Sequence, residues 1–332
     1  MPEAQNLFKK FLTNIEPSVD AKALAQDAHN PLRKYLETES DLKDIVRETF
    51  LYGSYKRQTA IGTIKDVDIV IIFDLDIDDT YKSPTKIIKE LKKALKGFYG
   101  TAEYLEYQRR SIRVDRPLPN SNSKLTLDVI PAVRVPRNTT QLYVPDREQN
   151  TWILSNPEAH IKFTSELNSE GSSGGQFVPL VKIIKHWWEY QYGLQNTVDH
   201  KKQPKGFFLE MITGYNFNNS LQTYATHFVA TLEKFLFEYE DLEGVPEIPD
   251  VGIPNKNIST SMTESEFKYF IDRTKDSLDT AKEALRTNSD LESSVLWKKV
   301  FGQEFPLPET KTNTPSKTIN TSPRGPWCEN SN

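Results

Sequence analysis

Apolar residues along this chain follow two periods. At 5–14 and about 20–48 they recur at helical spacing (Leu7, Phe8, Phe11, Leu12, then Leu24, Leu32, Tyr35, Leu36, Leu42, Ile45, Val46). This predicts N-terminal helices with a break at Asn30-Pro31. From 65 to 74 the β-branched run Val67, Ile69, Val70, Ile71, Ile72 predicts a buried strand, and Ile87, Ile88, Leu91 and Leu95 predict a helix over Pro84 to about Phe98. Three further strands are expected at 102–108, 111–115 and 124–133, the last two separated by the turn-rich RPLPNSNS.

Past PDREQNTWILSNPEAH the pattern becomes almost wholly helical from 158 to 300, in VPLVKIIKHWWEYQYG, GFFLEMITGYNF, HFVATLEKFLFEYE and EFKYFIDRTKDSLDTAKEAL. The expected architecture is α+β: a mixed sheet with helices on one face over 1–155, including the N-terminal helices, and a helical second lobe over 156–306. Segments 168–175 and 241–257 read as Gly- and Pro-rich linkers, and 307–332 as a flexible polar tail. No internal repeat is visible.

Composition narrows the class. Of 332 residues, 37% are hydrophobic and 27% charged, as in a soluble globular protein. Forty-two basic against forty-six acidic residues give a net charge of -4, which argues against wrapping nucleic acid electrostatically, so no stable nucleic-acid template is expected. The single cysteine, Cys328, cannot form an intramolecular disulfide, and the N-terminus lacks an apolar signal core, so a cytoplasmic location is expected. No run approaches the roughly 18 apolar residues a membrane span needs, and no membrane partner is expected.

Against this background two aspartates interrupt the strand in YGSYKRQTAIGTIKDVDIVIIF. Alternation puts Asp66 and Asp68 on one face and Val67 and Ile69 on the other. Neighbouring carboxylates repel, and a divalent cation relieves both. Asp128 in LTLDVI is again a lone carboxylate opposite Leu125, Leu127 and Val129, a third ligand if its strand is adjacent. Upstream, Gly53-Ser54 offers backbone N–H groups and a hydroxyl to a phosphate. Phosphate beside metal suggests a nucleoside triphosphate. Two magnesium ions about 4 Å apart, with manganese as a substitute, would activate a hydroxyl and hold the leaving pyrophosphate, which is nucleotidyl transfer.

Gly-Ser, eleven residues, Asp66-Val67-Asp68 and a distant strand aspartate together resemble the DNA polymerase β-like nucleotidyltransferase superfamily. The wording GSYKRQTAI…DVDIVIIF resembles, within it, the bacterial CD-NTases, the cyclic-oligonucleotide synthases of anti-phage (CBASS) defence related to cyclic GMP-AMP synthase and oligoadenylate synthase. The resemblance covers roughly residues 20–306. It implies a cyclic di- or trinucleotide second messenger made from ribonucleoside triphosphates, ATP among them, and a downstream effector that reads it. It maps a triphosphate-contacting lysine to Lys185 in LVKIIKHWW and a base-stacking aromatic to Phe207 in KGFFLEMIT, while VLWKKVFGQEFP resembles the closing helix. Relatives often carry serine where this chain has Gly206, a loss for which Lys205 or Lys202 would compensate.

Other candidates carry blander readings. Asp74, Asp76, Asp78 and Asp79 fall where the strand exits into a solvated loop. Trp187 and Trp188 read as core, and His186 as a packed or surface histidine. Arg57 and Thr59 either fix the loop after Gly-Ser or touch the acceptor nucleotide, and the arginine could equally pair with a local carboxylate. A terminal or small-molecule nucleotidyltransferase and an inactive nucleotide-binding scaffold are the alternatives on the same fold.

Overall fold

The structure is a computed structural model, and it describes residues 2–75, 83–101, 104–117, 124–137, 140–169, 171–194, 204–258 and 262–309. Asp76, Asp78, Asp79, Lys202 and Cys328 lie outside the described residues.

Two helices, α1 (Pro2–Ile15) and α2 (Val19–Thr38), precede strand β1 (Val46–Tyr52), the short turn of helix α3 (Gly53–Lys56) and strand β2 (Asp66–Phe73). Helix α4 (Pro84–Tyr99) leads to β3 (Leu105–Tyr107), β4 (Ile112–Pro117), β5 (Lys124–Arg134), β6 (Leu142–Asp146) and β7 (Thr151–Ser155). Then come α5 (Pro157–Leu167), α6 (Phe177–Gly193), α7 (Gly206–Tyr215), α8 (Tyr224–Tyr239), α9 (Glu264–Arg286) and α10 (Asp290–Phe301).

The strands form one mixed sheet in the order β1-β2-β5-β4-β3, with β6 pairing the far end of β5 and β7 pairing β6. Only the β2–β5 pair at its centre is parallel. Alternation along β2 sends Val67, Ile69, Ile71 and Phe73 into a core shared with Leu32 and Leu36 of α2 and Ile88, Leu91 and Leu95 of α4. Val70 and Ile72, on the other face, pack with Ala132, Leu142 and Val144. Helices therefore cover one face, and the strand ends on the other are left for polar groups.

A second core is built mainly from helices. It gathers α6 to α10 around Trp187, Trp188, Phe228, Phe270 and Trp297. It also takes in α1. Phe8 lies 5.0 Å from Trp297 and 5.1 Å from Phe305, and Phe11 lies 4.8 Å from Phe301. The apolar stripe of α1 finds its aromatic partners near the far end of the chain, while α2 stays on the sheet. His186 is part of the same packing: its Nε2 lies 3.0 Å from the Phe301 carbonyl oxygen and its ring meets Phe11.

Three local expectations change. Helix α2 runs unbroken through Pro31, because Ala28, Leu32 and Leu36 keep one continuous buried stripe across it. The helical reading through residue 48 gives way to strand β1, which pairs with β2 from Val46. Strands β6 and β7 sit in a stretch without clear alternation and gain their order from the edge of β5.

Candidate active site

Register brings the three aspartates together. Tyr52 stands opposite Asp68 on β1, Asp68 opposite Asp128 on β5, and Asp128 opposite Arg113 on β4, a single row across four strands. The next row holds Asp66, Thr126 and Asp115. All lie on the face away from the core that takes Val67, Ile69, Leu127 and Val129.

Gly53 closes this row from above. Its φ is +69°, and a Cβ there would overlap Asp68 Oδ2. Glycine at this position thus lets the backbone of α3 cross the carboxylate. Ser54, next in the turn, lines a cavity of about 290 Å³ together with Arg57, Thr59, Lys65, Asp66, Lys185 and Phe207.

Three like charges share little compensation. Burial pushes the Asp68 carboxyl up to about 6, and the charges of Asp128 and Asp66 push the same way against Arg57. Burial also raises Asp128, against the Arg113 guanidinium. Arg113 Nε is 4.0 Å from Asp128 Oδ1, and Ser111 Oγ donates to the same oxygen at 3.4 Å. Among the described residues no group of three His, Cys, Asp or Glu side chains closes into a ready metal cluster. The donor chemistry nevertheless fits a hard divalent cation: carboxylate oxygens on one face, one of them raised above the usual carboxylate range by burial and by its like-charged neighbours.

The opposite wall of the cavity is an ion cluster that joins the lobes. Arg57 Nε donates to Glu210 Oε1 at 2.6 Å, and Lys185 Nζ approaches Glu210 Oε2 at 3.3 Å while donating to Thr59 O and Oγ1 at 3.1 and 3.0 Å. Thr59 Oγ1 and Thr164 Oγ1 each donate to Glu210 at 2.8 Å. Burial works against the Glu210 charge, but Lys185 and Arg57 prevail and hold it down to about 2. Burial lowers Lys185, with Glu210 opposing. Glu189 lines the same cavity and its charge also acts on Lys185, while Arg57 Nη1 is buried there with no hydrogen-bond partner among the described residues.

The candidate residues therefore separate. Asp66, Asp68, Asp128, Gly53 and Ser54 meet on the open face of the central β2–β5 pair. Arg57, Thr59 and Lys185 meet around Glu210, with Phe207 half-buried beside them under the Arg57 guanidinium at 5.0 Å. Lys205 is exposed at the N-cap of α7 and does not line the cavity. Gly206 has a physical reason: a Cβ there would press on Lys185 Cε at 3.3 Å. Sequence reasoning passes over Glu210 and Thr164. The signal for Glu210 is the one that found Asp128, a lone carboxylate inside the apolar run FFLEMI.

The sheet, its carboxylate face and the helical lobe behind it define a polymerase β-like nucleotidyltransferase. The sequence profile described as the Second Messenger Oligonucleotide or Dinucleotide Synthetase domain matches residues 1–168. The chain belongs to this family, whose members join ribonucleoside triphosphates into cyclic oligonucleotides. It is 32% identical to a cyclic AMP-AMP-AMP synthase of Acinetobacter sp., over 91% of this chain and 85% of that one. It is 28% identical to a cyclic AMP-AMP-GMP synthase of Enterobacter hormaechei, over 92% and 93%. In fold it is similar to E. coli MS115-1 CdnC, solved with ATP, at a TM-score of 0.72 and 17% identity, over 91% of this chain and 98% of that one. Nucleotidyltransferases of this family generally use divalent metals. Among the described residues no helix is long and apolar enough to cross a membrane.

Proposed function

We propose that this enzyme condenses ribonucleoside triphosphates, ATP among them, into a cyclic trinucleotide containing at least two adenylates, with release of pyrophosphate. The product class rests on the two synthases named above, which build on AMP units. The observation that carries the chemistry is the register of Asp68 with Asp128, one row from Asp66 and directly under Gly53.

Asp66, Asp68 and Asp128 would hold two Mg2+ ions, with Mn2+ as a substitute; bound there, they lower the pKa of an attacking hydroxyl and neutralise charge on the leaving pyrophosphate. Asp128 sits on the side of the acceptor 2′- or 3′-hydroxyl. The hydroxyl oxygen attacks the α-phosphorus of the donor as the bond to pyrophosphate breaks, and the hydroxyl proton leaves to solvent or carboxylate. Gly53 and Ser54 orient the donor phosphates from above the row. Arg57 and Lys185 supply positive charge at the cavity wall, and Phe207 offers its cavity-lining surface to a base. Repeating the transfer on a linear intermediate closes the ring. A cytoplasmic location and a downstream effector that reads the product in anti-phage defence complete the reading.

The test is direct. Purified protein with Mg2+ and the four labelled ribonucleotides should yield a small phosphatase-resistant product whose mass gives ring size and bases. Extension only of added RNA would point instead to a terminal transferase, and absence of both product and pyrophosphate to a silent scaffold.

A further inference from the structure

The segment 241–257 is an ordered strap. Pro249 pairs with Asn257, Ile248 and Ile253 are buried, and the Tyr215 hydroxyl donates to the Pro249 carbonyl at 2.9 Å. Asn156 docks it onto α5: its Oδ1 caps the helix by accepting from Ala159 N, and its Nδ2 donates to Gly252 O at 3.1 Å. Gly252 permits this approach, since a Cβ there would lie 2.7 Å from Asn156 Cβ.

The strap delivers Asp250 to His160. The two are 90 residues apart in sequence, and His160 Nε2 lies 2.8 Å from Asp250 Oδ1. His160 Nδ1 lies 2.9 Å from the Tyr52 hydroxyl, on the strand that faces Asp68. Asp250, held low despite burial by hydrogen bonds from His160 and Gly252, is an acceptor only. Nε2 therefore donates to Asp250, and Nδ1 pairs with the Tyr52 hydroxyl, which burial keeps protonated by pushing it up to about 12. Both imidazole nitrogens are occupied and the residue is buried, so His160 has no free nitrogen with which to take a substrate proton.

What His160 does touch is Phe207. Their ring centroids are 5.0 Å apart, and the Arg57 guanidinium lies over both Phe207 and Tyr52, at 5.0 and 5.3 Å. Phe207 is thus backed by His160 and Arg57 and lines the cavity with its remaining surface.

We propose that His160 is a positioning residue for nucleotide binding. Tied to Asp250 of the helical lobe's strap and to Tyr52 of the catalytic sheet, it fixes the orientation of the Phe207 ring relative to the Asp68 row. The proposal rests on the reading of Phe207 as the nucleotide-facing ring. A ring held by packing alone would rock with the lobes; the relay ties it to the strand that carries the chemistry, so the ordering entropy is lost on folding rather than on nucleotide binding.

His160→Phe keeps an aromatic ring against Phe207 and removes both hydrogen bonds; Tyr52→Phe removes one and Asp250→Asn weakens the other. With the full chain, pyrophosphate release gives KM and kcat for ATP, and calorimetry gives the affinity for a nonhydrolysable ATP analogue. His160→Phe should raise both KM and Kd about tenfold with a much smaller change in kcat, and Tyr52→Phe about threefold. Tyr52→Phe added to His160→Phe should cost nothing more, because the bond is already gone. A lower Tm with KM and Kd unchanged in these variants means a merely structural role and overturns the proposal. Should His160→Phe not fold, Tyr52→Phe and Asp250→Asn decide the matter by the same criterion. Phe207→Ala separates the two readings: weakened analogue binding there without any effect of the relay variants defeats the relay alone, whereas unchanged binding defeats the Phe207 reading and the relay's purpose with it.

Discussion

The carboxylate face of β2 and β5 and the cluster around Glu210 both gather charge, and they do so in opposite ways. On that face three carboxylates face one another, with the Arg113 guanidinium at 4.0 Å from one of them. In the interlobe cluster one carboxylate receives two cations and two hydroxyls within 3.3 Å. The first arrangement is complete only with a ligand that brings positive charge. The second is complete in itself and holds the wall against which that ligand sits. Function here is concentrated where the charge is left uncompensated, and rigidity where it is not.

Asp68→Asn tests this contrast with the largest effect. Removing a charge that cations need should cut product formation to less than about a thousandth of wild type. The same change should stabilise the metal-free protein. Asp68 is held at about 6, above its ordinary value, so between pH 4 and 6 the folded state keeps a proton that the unfolded chain has released. The stability this proton contributes is present at low pH and lost as pH rises through about 6, leaving a cost of about 2–3 kcal/mol at neutral pH. Thermal melts with chelator should show Asp68→Asn above wild type at pH 7.5 and level with it at pH 4. Adding Mg2+ should raise the wild type more than the variant.

Glu210→Gln reverses the outcome. It leaves Arg57 and Lys185 buried side by side without their counter-ion, which costs about 3–5 kcal/mol when one partner of a buried pair is removed. Denaturant unfolding should show that loss, with Lys185 deprotonating at lower pH and nucleotide KM rising. A variant as stable as wild type would show that the cluster is not the brace its geometry describes.

The difference between the two regions also decides what the sequence discloses. Asp66, Asp68 and Asp128 are legible because a strand period of two separates them from Val67, Ile69, Leu127 and Val129 within a few positions. The parallel pairing that aligns Asp68 with Asp128 needs the β4–β5 hairpin and α4 in place, and no local pattern states it. Glu210 carries a local signal, but its partners Arg57, Thr59, Thr164 and Lys185 come from three segments. Helix α1 announces an apolar face through Phe8 and Phe11 without naming Trp297 as its cover. Asp250 and His160 are further still from legibility, since each alone reads as an ordinary turn or helix residue. Residues that act alone on one element are readable; those defined by a partner 90 or more positions away are not.

Gly53→Ala tests whether the carboxylate face tolerates any crowding. The positive φ costs an L-residue about 1–2 kcal/mol, and the new methyl group must displace the Asp68 carboxylate. A fall in melting temperature should accompany a loss of activity larger than that destabilisation explains, because the carboxylate moves off the row it shares with Asp128. If activity survives with the fold intact, the close approach of α3 to Asp68 is incidental to the chemistry.

Ser111→Ala should have the smallest effect and gives the finest test. Its hydroxyl reaches Asp128 at 3.4 Å, a long bond to a partly exposed carboxylate, so its loss should change stability by less than about 0.5 kcal/mol. What it does to activity depends on how Asp128 is held. If the charge row governs the site, Asp128 is drawn toward cations regardless of Ser111, and initial rates at saturating Mg2+ stay within about twofold of wild type, which is the rate change that 0.4 kcal/mol produces. If activity instead falls about tenfold and excess Mg2+ does not restore it, the orientation of Asp128 rather than its charge is limiting. The carboxylate face would then be a pre-aimed site, closer in kind to the Glu210 cluster than its sparse hydrogen bonding indicates.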